Sequence, residues 1–286
     1  MFINAQKKLA NTMLYHYTTP EGLLGILQEN EVKLHFTKFT ALNDKMEGKV
    51  LQKRFLDIFE RLYHEGKIEK GELEKLEDCV SFEMGRFIHL IGEKVEEFNS
   101  EDTFVCSFSK AQDSLPMWNY YVKDGSYQGY NIGFKNPYIC SRLSDERLIY
   151  DVFRLSPIIY SEKQLEESLR KYVDTIDWTR EDFWVYFIQI LCNGVLEHKM
   201  ECFSHEQEVR MIYTASKEEK KDIKYKVKNG VLVPYLELKF DKAAIEEITV
   251  GPLIEQDLAV KNLREFLEQR GYSDVDIKVS EIPIRY

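Results

Sequence analysis

The sequence predicts an α+β fold, and three observations carry that prediction. Short stretches rich in β-branched and aromatic residues recur along the whole chain. Helical stretches fall between them without the strict strand–helix alternation of a parallel α/β sheet. The 286 residues, 44% hydrophobic and 13% aromatic, suffice to bury a sizeable core. With no internal repeat, low-complexity segment or Gly/Ser linker, we expect a single domain spanning 1–286.

The first strand is expected over 13–18 (MLYHYT). A helix follows: Thr19 is placed to cap it, Pro20 fits its first position, and Thr18 with Glu21 fits a capping box. Leu23, Ile26 and Leu27 form its apolar stripe. Residues 32–37 alternate as a second strand, and 41–48 (ALNDKMEG) reads as a polar loop. From Lys49 to about Phe98 the pattern is helical and heavily charged, with breaks at Gly66 and Gly71 and a 3.6-residue period in Phe55, Ile58, Phe59 and Leu62. This stretch, about 49–100, is expected as a helical insertion in the sheet domain. The Glu69–Glu77 charge run reads as a solvated helix face.

Strand character returns at 103–109 (TFVCSFS), followed by a short helix over 114–123, a strand over 128–134 and a β-rich stretch over 148–159. Helices are expected over 162–176 and 180–199, and strands over 209–214, 232–240 and 245–250. The pattern over 256–270 is an amphipathic helix stopped by Gly271, and 275–279 closes the chain as a strand.

The chain is 31% charged with a net charge of −10, an acidic balance that speaks against a broad phosphate-binding surface. No run of about 18 apolar residues is present, so no membrane span is expected. Residues 2–7 lack the apolar segment of a secretion signal, which leads us to expect a cytoplasmic protein. The five cysteines show no CxxC spacing and the six histidines are scattered, so no metal is expected.

The stretch 202–213 (CFSHEQEVRMIY) is the most informative. If it is strand throughout, Glu206, Glu208 and Arg210 share one face, with the two carboxylates about 7 Å apart by strand rise. Such a pair suits a cleft that stabilises a cationic transition state, as in glycosidic bond cleavage. The plain alternative is an ion pair between Arg210 and Glu208. His16 sits mid-strand, on one face with Leu14 and Thr18, while Tyr15 and Tyr17 take the other; it is either a satisfied core histidine or a ribose or phosphate contact. Ser107 and Ser109 share a strand face. The glycines of 129–134 precede no helix and make no dinucleotide fingerprint. Asn43, Asp44 and Glu47 read as a tight turn rather than a cation loop. Trp118 and Phe134 read as core, whereas the tyrosines near them offer a flat wall for a planar ring. No serine stands in a nucleophile-elbow context, and Cys202 with His205 or His198 is a weak candidate for Cys–His chemistry.

YHYT (15–18), NDxxEG (43–48), CSFS (106–109), MWxxY (117–121), GxxIGF (129–134), HExExR (205–210), EITVGP (247–252) and SxIPxR (280–285) occur in that order. This series resembles a widespread bacterial domain family of unknown function, found near mobile elements and abortive-infection systems. More distantly, the opening strand–helix unit, the Ser-rich middle strand and the late Glu-x-Glu resemble the ADP-ribosyltransferase fold, which implies a split central mixed or antiparallel sheet.

That resemblance implies NAD as substrate. Glu208 would be the main catalytic group and Glu206 would orient the acceptor. His16, Thr18, Ser107, Ser109, Tyr120, Tyr121 and Arg210 would contact NAD, with the ring stacked on nicotinamide left open among Tyr120, Tyr121 and Tyr130. The implied role is a toxin or effector in phage defence, with an unknown acceptor and an antitoxin or defence-system partner. Two other readings stay open. One is a non-enzymatic sensor that binds a nucleotide or phage protein. The other is a nuclease or hydrolase using Asp44, Glu47, Glu206 and Glu208 with a divalent ion.

Overall fold

A computed structural model describes residues 12–42, 45–81, 103–122, 127–135, 153–178, 194, 196–216, 218–228, 230–252 and 255–283. In chain order the elements are β1 (Leu14–Thr18), α1 (Pro20–Ile26), β2 (Val32–Lys38), α2 (Lys45–His64), α3 (Lys70–Ser81), β3 (Thr103–Ser109), α4 (Leu115–Tyr121), β4 (Tyr130–Phe134), β5 (Phe153–Pro157), α5 (Glu162–Val173), β6 (Glu208–Thr214), β7 (Lys224–Lys228), β8 (Val231–Phe240), β9 (Ile245–Val250), α6 (Gln256–Gln269) and β10 (Asp276–Val279). The fold is α+β, as expected.

The chain divides into two compact units, one of residues 1–37, 104–157 and 205–286, the other of residues 38–103 and 158–204. The first is built on a ten-stranded mixed sheet in the order β10-β9-β4-β1-β3-β2-β8-β7, with β6 paired to β3 and β5. β10 runs parallel to β9, whereas β1–β4, β4–β9, β2–β8, β5–β6 and β7–β8 are antiparallel. β3 therefore has three partners, β1, β2 and β6. A strand has two edges, so two of these partners share one edge and the sheet branches at β3.

Alternation decides which side chains this unit buries. Leu14, Phe104, Phe36, Val209 and Ile248 point into one core together with Leu263 of α6. Tyr15 and Tyr17 point the other way, into a smaller cluster with Met117 and Trp118 of α4. Trp118 is fully buried, and its indole donates to Asp113 Oδ1 at 2.7 Å. Asp113 also accepts from Ser280 Oγ at 2.8 Å and Glu281 N at 3.0 Å, which ties α4 to the segment after β10.

Two helix-end signals act as expected: Thr19 caps α1 by accepting from Gly22 N, and Gly271 ends α6 with φ +72°. At Gly251 a Cβ would meet the Tyr127 carbonyl oxygen at 2.6 Å, so the backbones there approach too closely for any side chain.

The second unit packs Phe55, Ile58 and Phe59 of α2, Leu76 of α3, and Leu165 and Leu169 of α5. Arg170 of α5 joins it on the surface, donating to Glu166 Oε1 and Glu65 Oε1 at 2.6 and 2.7 Å.

Several sequence expectations are corrected. The loop expected over 41–48 already contains the start of α2 at Lys45, because Lys, Met and Glu are good helix formers and Gly48 alone does not stop them. Gly66, at φ +70°, does break the helix, but Gly71 lies in the first turn of α3. There the Glu72 carboxylate accepts from Glu69 N at 2.7 Å and stabilises the helix start. The β7 strand was not expected. The Asn229-Gly230 dipeptide is its hairpin signal, and Gly230 takes φ +76°. Asn43, Asp44, the expected helix beyond residue 81, residues 148–152 and most of the expected 180–199 helix lie outside the described residues.

Candidate active site

The site is built where β3 meets β6. Before β6 the chain makes a 3-10 turn over Glu201–Glu206, and Gln207 then adopts φ +45°. Ser109 fixes this corner: its hydroxyl donates to the Glu206 carbonyl at 2.6 Å and accepts from Ala111 N at 2.9 Å. Lys110 N donates to the Gln207 carbonyl at 3.1 Å. The strand begins only at Glu208, so Glu206 does not share its face with Glu208 and Arg210 as a continuous strand would require. The left-handed residue between them turns the two carboxylates onto separate partners.

Glu208 is held by β3 and by its own strand. Ser107 Oγ donates to Glu208 Oε1 at 2.6 Å, and Arg210 Nε donates to the same oxygen at 3.0 Å. Arg210 Nη2 reaches Oε2 at 3.4 Å. Both partners of this ion pair are buried, with side chains 6% exposed. The ion pair read as the plain alternative is thus present. Ser156 of β5 lies opposite Arg210 and Arg154 opposite Ile212, so Arg154 and Ser156 project on the same face as Arg210. Both are buried. Sequence reading missed them, because 148–159 carries only the generic strand signal.

Glu206, also buried, accepts from the Tyr121 hydroxyl at 2.8 Å. Tyr120 lies 5.7 Å from the His205 ring. Both tyrosines of α4 are exposed, 63% for Tyr120 and 42% for Tyr121, so they offer ring surface to a ligand.

His16, expected from the sequence as an NAD contact, is not brought to the face of the sheet that carries Glu208. Tyr15 pairs with Ser109, which puts Ser107 and Ser109 on the Tyr15 side of the sheet and His16 on the other. The His16 ring lies 5.6 Å from Phe108, and Nδ1 is 3.0 Å from the Ser107 carbonyl oxygen. His16 and Glu208 therefore meet the same residue, Ser107, one at its carbonyl and the other at its hydroxyl. Burial lowers the His16 pKa, the Ser107 carbonyl opposes this, and the charges of Lys226 and His35 add to the lowering. Thr18 is not brought to Glu208. It follows His16 in alternation and packs on the first turn of α1, where a Cβ on Gly22 would lie 2.0 Å from its hydroxyl. Tyr130 pairs with Thr18 and shares that side.

Burial pushes the Cys106 thiol up to about 12, so it is no thiolate at neutral pH. Among the described residues no group of three or more His, Cys, Asp and Glu side chains is placed to hold a metal ion. Also among them, no helix is long and apolar enough to cross a membrane.

Residues 117–211 match the family model described as protein of unknown function, DUF2971. The matched segment starts in α4 and ends within β6, so it includes Tyr120, Tyr121, Glu206, Glu208 and Arg210 and excludes His16 and Ser107. No curated protein and no solved structure matches the chain.

Proposed function

We propose that the chain is an ADP-ribosyltransferase-like protein that cleaves the nicotinamide–ribose bond of NAD. The arrangement of Ser107 and Glu208 is the observation that carries this reading. A carboxylate at the head of a strand is fixed by a serine hydroxyl from the neighbouring strand, at 2.6 Å, before any ligand arrives. A preorganised negative charge of this kind stabilises cationic character developing at the ribose C1 carbon. The C1–N bond breaks, its electron pair leaves with the nicotinamide nitrogen, and the acceptor attacks C1 and gives up its proton. Glu206, oriented by Tyr121, serves the acceptor side, and the exposed rings of Tyr120 and Tyr121 provide stacking surface. Arg210 sets the direction of the Glu208 carboxylate. In the setting that the family resemblance implies, such an activity makes the protein an effector of phage defence.

Nicotinamide release from NAD by the purified protein, with and without a cell extract as the source of acceptor, tests this reading. Release that depends on Ser107 and Glu208 supports it, and no release under either condition removes it.

One observation favours a second reading. The Glu208–Arg210 pair is buried and mutually neutralised, which suits a binding module that recognises a nucleotide without consuming it. NAD that binds and is recovered intact identifies that case.

A further inference from the structure

On the face of β2, β8 and β7 the lysines outnumber the carboxylates. The register aligns Lys33 with Lys239, Thr37 with Tyr235, and Tyr235 with Lys224, and it places Lys226 beside Val233 on that same face. Among the described residues two carboxylates serve the cations here. Glu31 takes Lys33 at 3.6 Å and Lys239 at 3.0 Å, while Glu237 takes Lys33 at 3.4 Å and Lys224 at 3.2 Å and lies 3.7 Å from the His35 ring nitrogen.

Lys226 differs from these neighbours. Its ammonium donates to Thr37 Oγ1 at 3.2 Å and lies 5.4 Å from the centre of the Tyr235 ring. It is half-buried, and among the described residues no carboxylate comes within ion-pair distance of it. Burial lowers its pKa, the Cys106 thiol opposes this, and Lys228 adds to the lowering. A partly desolvated ammonium without an acid costs free energy that a bound anion recovers. Its hydroxyl partner accepts from Lys226 and keeps its own proton to donate. The paired rings of Tyr235 and His35, 4.2 Å apart, stand beside it as apolar surface.

We propose that Lys226 and Thr37, beside the Tyr235–His35 ring pair, form a binding site for the phosphate of a small nucleotide. A single half-buried ammonium with one hydroxyl suits one tetrahedral anion, not a long phosphate backbone, and the net charge of −10 disfavours the latter. The site stands on the geometry of this face alone and holds whether or not Glu208 is catalytic.

Calorimetric titration with ADP, inorganic pyrophosphate and adenosine tests the site in the full chain and in Lys226→Met and Lys228→Met. Lys228 lies on the same strand and face and is exposed. ADP and pyrophosphate are expected to bind, adenosine at least tenfold more weakly. Lys226→Met weakens ADP binding at least tenfold, and Lys228→Met changes it less than twofold. In the unaltered protein, ADP but not adenosine protects Lys226 from acetylation read by peptide mass spectrometry, so the test does not depend on the folding of a variant. No binding of ADP, equal binding by Lys226→Met, or equal losses in both lysine variants with a steep salt dependence overturns the proposal. The first two outcomes would make Lys226 a cover for the Tyr235 ring, and the third a diffuse cationic face.

Discussion

Ser107 donates its hydroxyl to Glu208 across 101 positions of chain, at 2.6 Å, and offers its carbonyl to His16 on the other side of the sheet. One residue of β3 thus holds the carboxylate on which the functional reading depends and, through its backbone, a buried imidazole on the opposite face. Replacing it separates positioning from chemistry. Ser107→Ala removes a hydrogen bond to a charged acceptor, worth about 1.5–3 kcal/mol. It keeps the carbonyl that His16 uses. The expected result in urea denaturation is a loss at the lower end of that range, because Ser107 is partly exposed. In nicotinamide release, kcat falls about tenfold while the affinity for NAD holds.

The Glu208–Arg210 pair predicts a coupling. Both side chains are buried, so removing either leaves a charge with a lost partner, at about 3–5 kcal/mol. The double variant Glu208→Gln/Arg210→Met strands neither charge. It is expected to cost less than the sum of the singles by more than about 1 kcal/mol in a denaturation cycle. Strict additivity would mean that the pair contributes no interaction.

His16 makes stability depend on pH with a definite sign. Burial, opposed by the Ser107 carbonyl and reinforced by Lys226 and His35, holds its pKa below the ordinary 6.5. The unfolded chain therefore takes up a proton at a pH where the folded imidazole stays neutral. The contribution is complete above 6.5 and is lost as pH falls through the lower folded value. The urea midpoint should drop between pH 7 and pH 5, and His16→Gln should drop less over the same interval. An identical slope in the variant would rule out this origin.

Gln207 adopts φ +45° with its side chain exposed. Gln207→Gly relieves the left-handed strain and is expected to raise stability or leave it unchanged. Gln207→Val is expected to lower it by about 1–2 kcal/mol, because a β-branched residue resists this conformation. Thermal unfolding of the two variants decides between strain and none: equal midpoints would show that the corner tolerates any residue.

Much of the fold was legible because period and punctuation agree. Thr19-Pro20 opens α1, Gly271 closes α6, and alternation in β1 sends Leu14 to one core and Tyr15 to another. The failures have local causes. Glu206-Gln207-Glu208 has the composition of a strand, but the corner that splits it is fixed by Ser109, 97 positions from Glu206. No window around residue 207 contains that contact. Likewise β7 was not expected as a strand, and only the hairpin pairs it with β8. The shared face of Ser107 and Ser109 was readable from alternation, but their hydrogen bonds to Glu208 and to the Glu206 carbonyl were not. The sidedness of His16 was not, because it depends on which residue of β3 lies opposite Tyr15. Arg154 gave no signal because neither its burial nor its place on the same face as Arg210 is encoded locally.

The most direct measurement is the single-turnover rate of nicotinamide release from NAD by the unaltered chain and by Glu208→Gln, with NAD affinity measured on both. We predict a rate at least 100-fold lower in the variant, about 2.7 kcal/mol of lost transition-state stabilisation, with affinity changed less than threefold. Equal rates, or an unaltered chain that binds NAD and releases no nicotinamide, would contradict the transferase reading.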